Sequence, residues 1–124
     1  MDTTFKFKET HTLENRKNES DRIVKKYEGR IPCVIEACVN KNSKDLVLDK
    51  NKYLVPCDLT MSQLMHVIRK RIEFDSEEAL FIFVIKDDQN HIVSPNQTLD
   101  IIQTEYVDED GFLYFKVSKE STFG

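Results

Sequence analysis

Side chains able to do acid–base, nucleophilic or metal chemistry are few in this chain, and they are scattered. No two of its histidines have the spacing of metal ligands. These are His11, His66 and His91. The phosphate-binding patterns GxGxxG and GKS/T are absent. The acidic runs Glu77-Glu78 and Asp108–Asp110 fall in predicted turns, where solvated charges are the usual interpretation.

The cysteines give no better candidate for catalysis. Cys33, Cys38 and Cys57 form no CxxC pair and lie in no nucleophile motif. Cys33 and Cys38 are five residues apart in one predicted strand, so they point to opposite faces and cannot pair within it. We interpret all three as reduced thiols that pack as small apolar groups. With no catalytic residue, metal site or cofactor site in view, the sequence indicates a protein that is bound or attached, and not an enzyme.

Bulk composition limits the class of protein. A chain of 124 residues with 40% hydrophobic and 32% charged residues is typical of one soluble domain. Its net charge of −4 argues against a dedicated nucleic-acid binder. It has no run of about 18 apolar residues that could span a membrane. The N-terminus has neither an apolar signal core nor the Met-Gly start of a myristoylated protein, so we expect a cytoplasmic location.

The centre of the chain has the clearest structural pattern. Residues 52–55 are rich in strand formers, and we expect Pro56 to end that strand. Thr60 and Gln63 form a capping box for a helix with one apolar face. Val67 lies to one side of that face, so the apolar surface is wider than a single core contact needs. The excess is either a broad core face or part of a partner groove.

The flanking segments complete an α+β pattern. Residues 31–39, 80–85 and 112–117 are almost continuously apolar, as in strands covered on both faces. Thr98 is expected to cap a short predicted helix, Leu99–Tyr106. The N-terminal residues 1–28 predict helix with a break at His11-Thr12, and Gly29 is expected to end it. The inward stripe of this segment is weak, and the rest of its surface is charged; the stripe consists of Leu13, Ile23, Val24 and Tyr27.

This order of elements predicts a ubiquitin-like β-grasp of the α+β class. We expect a four-stranded mixed sheet with helices on one face and two additional N-terminal helices. Residues 1–28 would be a helical extension packed on the domain, 29–117 the ubiquitin-like domain and 118–124 a flexible tail. The polar stretches 40–45 and 86–95 are expected to be loops.

A resemblance to a known family rests on short blocks spread over nearly the whole chain. They are FKETH (Phe7–His11), KKY (Lys25–Tyr27), RIP (Arg30–Pro32), DKNKYLVPCDLT (Asp49–Thr60), IRKRI (Ile68–Ile72), LFIFV (Leu80–Val84), DEDGFLY (Asp108–Tyr114) and the ending TFG. Together they resemble the autophagy-related ubiquitin-like modifiers, the GABARAP and light-chain family. Extra residues near 40–45 and 87–95, and an Asn- and Lys-rich style, look most like the apicomplexan (Plasmodium-type) members.

The resemblance implies a function. Gly124 would be activated by the enzymes of the lipidation pathway and joined to phosphatidylethanolamine, and Phe123 would help those enzymes grip the tail. The modifier would then sit on autophagosome-like membranes, or on the apicoplast membrane as in the apicomplexan members. The alternative is an unconjugated ubiquitin-like adaptor. The basic helix Arg16–Lys26, with Phe5 and Phe7, would assist contact with membranes or partners without anchoring the protein.

The resemblance also assigns residues to a groove for W/F/Y-x-x-L/I/V peptides, which would add as a strand beside residues 52–55. The aromatic pocket is assigned to Glu19, Ile23, Pro32, Val34, Lys52, Leu54 and Phe112. The aliphatic pocket is assigned to Tyr53, Val55, Pro56, Leu59, Leu64 and Val67. A basic rim of Arg30, Lys50 and Arg71, together with Lys52, would favour acidic residues that flank the motif.

Overall fold

The computed structural model of the protein describes residues 2–38, 48, 50–72 and 79–119. The elements in chain order are α1 (Lys6–Thr10), α2 (Leu13–Lys26), β1 (Arg30–Ala37), β2 (Lys52–Pro56), α3 (Met61–Arg71), β3 (Phe81–Lys86), β4 (Gln89–His91), α4 (Leu99–Tyr106) and β5 (Leu113–Ser118). The predicted loop at 40–45, the turn at 75–78 and the residues Phe123 and Gly124 lie outside the described ranges.

The strands form one mixed sheet in the order β2-β1-β5-β3-β4. β1 and β5 run parallel, and the other neighbouring strands are antiparallel. This is the predicted α+β, ubiquitin-like arrangement. The prediction of four strands was wrong, because β4 is a fifth strand inside the stretch 86–95 that was expected to be a loop.

Sequence patterning missed β4 for two physical reasons. The strand has only three residues, Gln89–His91, all of them polar, so it shows no apolar alternation. The turn before it is made by Asp87 and Asp88, whose φ angles are +53° and +59°. Two-residue hairpin turns usually place Gly in such left-handed conformations, and no Gly marks this one.

The sheet has a separate hydrophobic core on each face. On one face, Ile31, Cys33 and Ile35 of β1 pack with Leu64 and Ile68 of α3 and with residues of α4. On the other face, Val34 packs with Phe5 and Phe7 of the N-terminal segment and with Phe112, Tyr114, Phe83 and Ile85. The helices α3 and α4 of the ubiquitin-like part thus lie on one face as expected, and the additional N-terminal segment covers the second face.

The inner face of α2 also differs from the predicted stripe. Val24 and Tyr27 are 52% and 41% exposed, whereas Arg16 and Ser20 are buried. Leu13 and Ile23 are half-buried. The reason is that this part of α2 packs on the turn before β5, which presents polar groups. Phe5 and Phe7 are buried as well, so they are not available for the membrane or partner contact proposed for them.

Candidate partner groove at the sheet edge

Among the residues that the structure describes, β2 is an edge strand of the sheet and pairs only with β1, so we call its outer side the open edge. The amide of Ile35 donates to the Asn51 carbonyl over 2.8 Å, and the amide of Cys57 donates to the Gly29 carbonyl over 3.0 Å. In an antiparallel ladder the hydrogen-bonded pairs recur at every second residue, so Tyr53 and Val55 are the β2 residues bonded to β1. The backbone groups of Lys52 and Leu54 therefore point away from the sheet.

Pro56 fits the same geometry, and the strand ends at this residue as expected. It is the last residue of β2 and lies opposite Arg30 of β1. Any other residue at this position would direct its backbone N–H away from the sheet, so proline here removes no hydrogen bond between β1 and β2. At this edge a guanidinium nitrogen of Arg30 donates to the Leu54 carbonyl over 3.3 Å.

Side chains along β2 alternate between the two faces. Lys52 and Leu54 lie on the side covered by α1 and α2, while Tyr53 and Val55 belong to the core under α3 and α4. The β2 residues assigned to the aromatic and aliphatic pockets thus lie on opposite sides of the edge strand, with one exception. Pro56 was assigned to the aliphatic pocket, but the same alternation puts it on the side of Lys52 and Leu54. An extended peptide presents residues i and i+3 to opposite sides in the same way.

On the α2 side, a short ion pair joins helix and strand. Lys52 Nζ lies 2.5 Å from Glu19 Oε1. Below this pair the half-buried Ile23 packs against the core that contains Val34 and Phe112, both of which are 0% exposed. Val34, Phe112 and Pro32, which were assigned to the aromatic pocket, are buried, so they could contribute to it only as a floor. The surface that a ligand could touch comes from Glu19, Ile23, Lys52 and Leu54.

On the α3 side, the assigned residues also divide into buried and accessible sets. Tyr53, Val55 and Leu64 belong to the core. Leu59 is half-buried, and Val67 is 40% exposed. Val67 therefore does not serve the core, which accounts for the extra apolar width noted on this helix.

Cations surround the edge strand on the α3 side. Lys50 Nζ lies 4.9 Å from the centre of the Tyr53 ring, and Arg71 Cζ lies 5.8 Å from it. The Tyr53 hydroxyl donates to the Lys50 carbonyl over 3.0 Å. Together with Arg30, these residues place positive charge beside the open strand of a chain whose net charge is −4.

A buried carboxylate near the groove escaped the sequence-based reasoning. Asp110 was expected to be a solvated loop charge, but it is 1% exposed. Its Oδ2 accepts from Arg16 Nε over 2.8 Å and from the Tyr114 hydroxyl over 2.5 Å, and its Oδ1 accepts from the Phe112 amide over 2.8 Å. These bonds satisfy the carboxylate in place of water, which is why its burial is possible.

One nearby sequence feature could have pointed to this turn. Gly111, the only Gly in DEDGFLY, has φ +90°. A Cβ there would lie 2.5 Å from Ser20 Oγ, so the turn and α2 are in direct contact. Ser20 Oγ donates to the Asp110 carbonyl over 2.5 Å. Burial, and then the hydrogen bond to Asp110, raise the pKa of the Tyr114 hydroxyl well above its ordinary value.

A second buried charge, Lys116, was also missed because it lies inside an apolar strand. Its Nζ is 3.2 Å from Asp2 Oδ2 and 4.0 Å from Glu36 Oε1. Glu36 also accepts from the first two amides of α1, those of Lys6 and Phe7, over 2.9 and 3.1 Å. These bonds tie the start of the chain to the sheet.

Comparisons with known proteins show the family to which the chain belongs. A sequence model of the family described as "Autophagy protein Atg8 ubiquitin like" matches residues 15–124. Autophagy-related protein 8 of Cochliobolus heterostrophus is 47% identical over 120 residues, which cover 96% of this chain and 95% of that protein. The Neurospora crassa protein is also 47% identical over 120 residues, with 96% and 93% covered. This chain belongs to the Atg8 family. As a member it is a ubiquitin-like modifier and not an enzyme.

Solved Atg8 structures share the fold. Trypanosoma brucei ATG8 superposes with a TM-score of 0.80 at 37% identity, covering 98% of this chain and 100% of that one. Plasmodium falciparum Atg8, solved with a Plasmodium falciparum Atg3 peptide, also gives a TM-score of 0.80, at 28% identity, with 97% and 100% covered. In the described part of this Atg8-family chain, no helix is long and apolar enough to cross a bilayer. The same residues contain no group of three or more His, Cys, Asp or Glu side chains that could hold a metal ion.

Proposed function

We propose that this Atg8-family chain is joined through Gly124 to phosphatidylethanolamine and recruits partners that carry W/F/Y-x-x-L/I/V motifs. The observation that carries the recruiting role is the open edge of β2. Its outward backbone groups, at Lys52 and Leu54, can pair with an extended peptide. Its side chains alternate between two apolar surfaces, one for the aromatic residue and one for the aliphatic residue.

The polar groups around the edge set a preference for the sequence around the motif. Lys50, Arg30 and Arg71 lie along β2, so acidic residues flanking the motif would be attracted to them. Such pairs are exposed and screened by salt, so they affect association rate and selectivity more than affinity.

Peptide titration by calorimetry tests the recruiting role. We expect Leu54→Ala and Val67→Ala each to weaken binding of a W-x-x-L peptide, because each removes accessible apolar surface on one side of the strand. Tyr53→Ala should weaken it too, but Tyr53 is a core residue and this variant needs a check of folding. Ile92→Ala is the matched control, since Ile92 is 74% exposed and follows β4 at the opposite edge of the sheet. Unchanged affinity in all three groove variants would exclude the groove.

The conjugation role is supported by family membership and by the Plasmodium structure, in which the relative is bound to an Atg3 peptide. We therefore propose activating and conjugating enzymes of the lipidation pathway as partners, with Phe123 gripped by them. A lipid with two acyl chains would supply a lasting anchor, because each buried CH₂ adds about 0.8 kcal/mol and one chain holds only marginally.

Deleting Gly124 separates the modifier from the alternative, an unconjugated adaptor. The shortened chain should fold and bind the peptide as before, and it should lose the phosphatidylethanolamine adduct in mass spectra of a membrane fraction. A shortened chain that still reaches membranes and still carries the adduct would contradict the modifier proposal. An intact chain that is recruited to membranes without any adduct would favour the adaptor.

The membrane on which the conjugate resides is a narrower proposal. Loop composition alone suggests an apicomplexan-type member and an apicoplast membrane. The Plasmodium protein is 28% identical to this chain and the fungal proteins are 47% identical, so identity gives this subtype no support. We propose autophagosome-like membranes, and co-localisation with a plastid marker would overturn that choice.

A further inference from the structure

The aromatic side of the groove is assembled from two parts of the chain that are far apart in sequence. Glu19 and Ile23 of α2 form its wall, and Val34 of β1 and Phe112 form its floor. The wall faces the open edge only while α2 keeps its position over the sheet. The exposed ion pair between Glu19 and Lys52 is screened by solvent, so it holds α2 weakly.

A much more protected contact joins the same wall to the same floor. Arg16, Glu19, Ser20 and Ile23 occupy positions i, i+3, i+4 and i+7, so they lie on one side of α2. Arg16 bonds to the Asp110 side chain and Ser20 bonds to the Asp110 backbone carbonyl, both in a buried site. The other carboxylate oxygen of Asp110 accepts from the amide of Phe112, the floor residue.

We propose that Asp110 is a positioning residue for the aromatic pocket, fixing the distance between the α2 wall and the Phe112 floor. This inference rests on the proposed peptide-binding function and deepens it. Asp110 has no exposed surface to offer a ligand, so its effect on binding passes through α2. Loss of the contact should therefore affect the aromatic residue of a peptide and leave the aliphatic residue, bound on the opposite face, unaffected.

The variant Asp110→Asn tests this with little change of volume. Its amide oxygen can still accept from the Phe112 amide, but its NH₂ group then faces Arg16 Nε, and two donors cannot bond. The test titrates a W-x-x-L peptide and the matching A-x-x-L peptide into the wild type and the variant. We expect the variant to lose about fivefold or more in affinity for the first peptide and to bind the second as the wild type does.

Two further variants separate positioning from general stability. Lys8→Ala removes different side-chain contacts of the N-terminal segment, namely the 2.7 Å pair with Asp108 and the ammonium group 4.5 Å from the centre of the Tyr114 ring. It keeps the Lys8 backbone carbonyl, which accepts from Arg16 of α2. It should leave the affinity for both peptides unchanged. Ser20→Ala removes the bond to the Asp110 carbonyl, together with the 3.0 Å contact of the same hydroxyl with the Lys17 carbonyl inside α2. It leaves the Asp110 carboxylate and Arg16 in place, so it provides a milder test if the Asp110→Asn protein does not fold. It should reduce binding of the tryptophan peptide selectively.

The possible failures are distinguishable. If the wild type does not prefer the tryptophan peptide over its alanine version, the proposed groove itself is wrong. If the wild type shows that preference and both Asp110→Asn and Ser20→Ala keep it in full, the positioning role is overturned while the groove stands. Equal weakening of both peptides in both variants would also overturn it, because that result indicates a general structural effect.

Discussion

Asp110 shows how a single charge can be buried in a small protein. Both of its oxygens accept hydrogen bonds, and one partner is a guanidinium group, so the carboxylate exchanges water for fixed donors. Removing one partner of such a site costs more than the net worth of its bond, since the remaining group stays buried. Two predictions follow from the groups around this turn.

Tyr114→Phe should lower the free energy of unfolding by about 1–2 kcal/mol, because Asp110 loses one of its donors while Arg16 remains. In the wild type the hydroxyl should stay protonated in the folded state well above pH 10, since its pKa is raised. A raised pKa adds stability below the unfolded value of about 10, and that stability is lost as pH rises further.

Urea unfolding at neutral and alkaline pH measures both effects. The difference in stability between the wild type and Tyr114→Phe should shrink as pH rises above about 10. Tyrosinate absorbance should show one tyrosine that ionises only on unfolding in the wild type. A wild-type Tyr114 that titrates normally in the folded protein would contradict the structure of this site.

Asp108 provides the opposite pH dependence. Burial by itself would raise the pKa of Asp108, but hydrogen bonds from Lys8 Nζ and the Asp110 amide outweigh it and hold the pKa below its usual range. A lowered pKa adds stability above the unfolded value of about 3.9 and loses it as pH falls through the folded value. Asp108→Asn should therefore destabilise the protein at pH 6, and this cost should diminish as pH falls below the unfolded value of about 3.9. A constant difference across this range would contradict the prediction.

At the scale of elements, a threonine was expected to cap each of the helices α3 and α4, but only the threonine before α3 does so. Thr60 Oγ1 accepts from the Gln63 amide over 3.2 Å and the Gln63 side chain accepts from the Thr60 amide over 2.9 Å, so the predicted capping box is confirmed. Thr98 precedes α4 but makes no such bond, because its hydroxyl donates to Asp100 Oδ1 instead. The same residue type therefore caps the first of these helices and not the second.

We predict that Thr60→Ala lowers the free energy of unfolding by about 1 kcal/mol, as expected for loss of an N-cap. Thr98→Ala is its matched control and should cost clearly less, since no helix amide loses an acceptor. Thermal or urea unfolding of both variants measures this. Equal costs would show that the capping box does not distinguish the two helices.

The turn between α4 and β5 depends on Gly111. Its φ of +90° strains any residue with a Cβ, and that Cβ would also meet Ser20 Oγ at 2.5 Å. Gly111→Ala should therefore cost more than the roughly 1 kcal/mol of a positive φ alone. Gly29→Ala is the control: its φ is +77°, but no atom lies within 4 Å of the added Cβ. If both variants are destabilised equally, the contact between this turn and α2 is not tight.

At the scale of the whole molecule, the distribution of charge limits membrane contact. The chain has 18 basic and 22 acidic residues, Arg16 is buried on Asp110, and Phe5 and Phe7 are in the core. We predict only weak binding of the unconjugated protein to anionic vesicles at physiological salt. Co-sedimentation with phosphatidylserine vesicles measures it, with neutral vesicles as the control. Tight binding at that salt concentration would mean that another surface anchors the protein.

Much of the fold was predictable because local patterns coincide with it. Strand formers and helical periodicity located β1, β2, β3, β5 and α3, and the predicted α4 has the observed bounds, Leu99–Tyr106. These elements are apolar on the faces they bury, so their sequences carry the pattern. The strand β4 carries none, since pairing with β3 and a glycine-free turn define it.

Some features of the proposed groove could likewise be predicted from the sequence, and others were decided by the tertiary structure. The strand formers of β2 and the off-centre position of Val67 were visible in the sequence, and the assignment of pocket residues came from family resemblance. Which residues are accessible was decided by packing: Val34 and Phe112 are covered by the N-terminal segment, while Val67 is not.

The buried charges were decided by tertiary structure alone. Arg16 and Asp110 are 94 residues apart in the chain, and Lys116 and Asp2 are 114 apart. Each of these residues is of a type that normally lies in solvent. Only the fold brings it beside the partner that makes its burial possible. Hydrophobic periodicity predicts which apolar residues are buried, because all apolar residues avoid water and pack together. A charged residue is buried only with its specific partner, and no local pattern records where that partner lies.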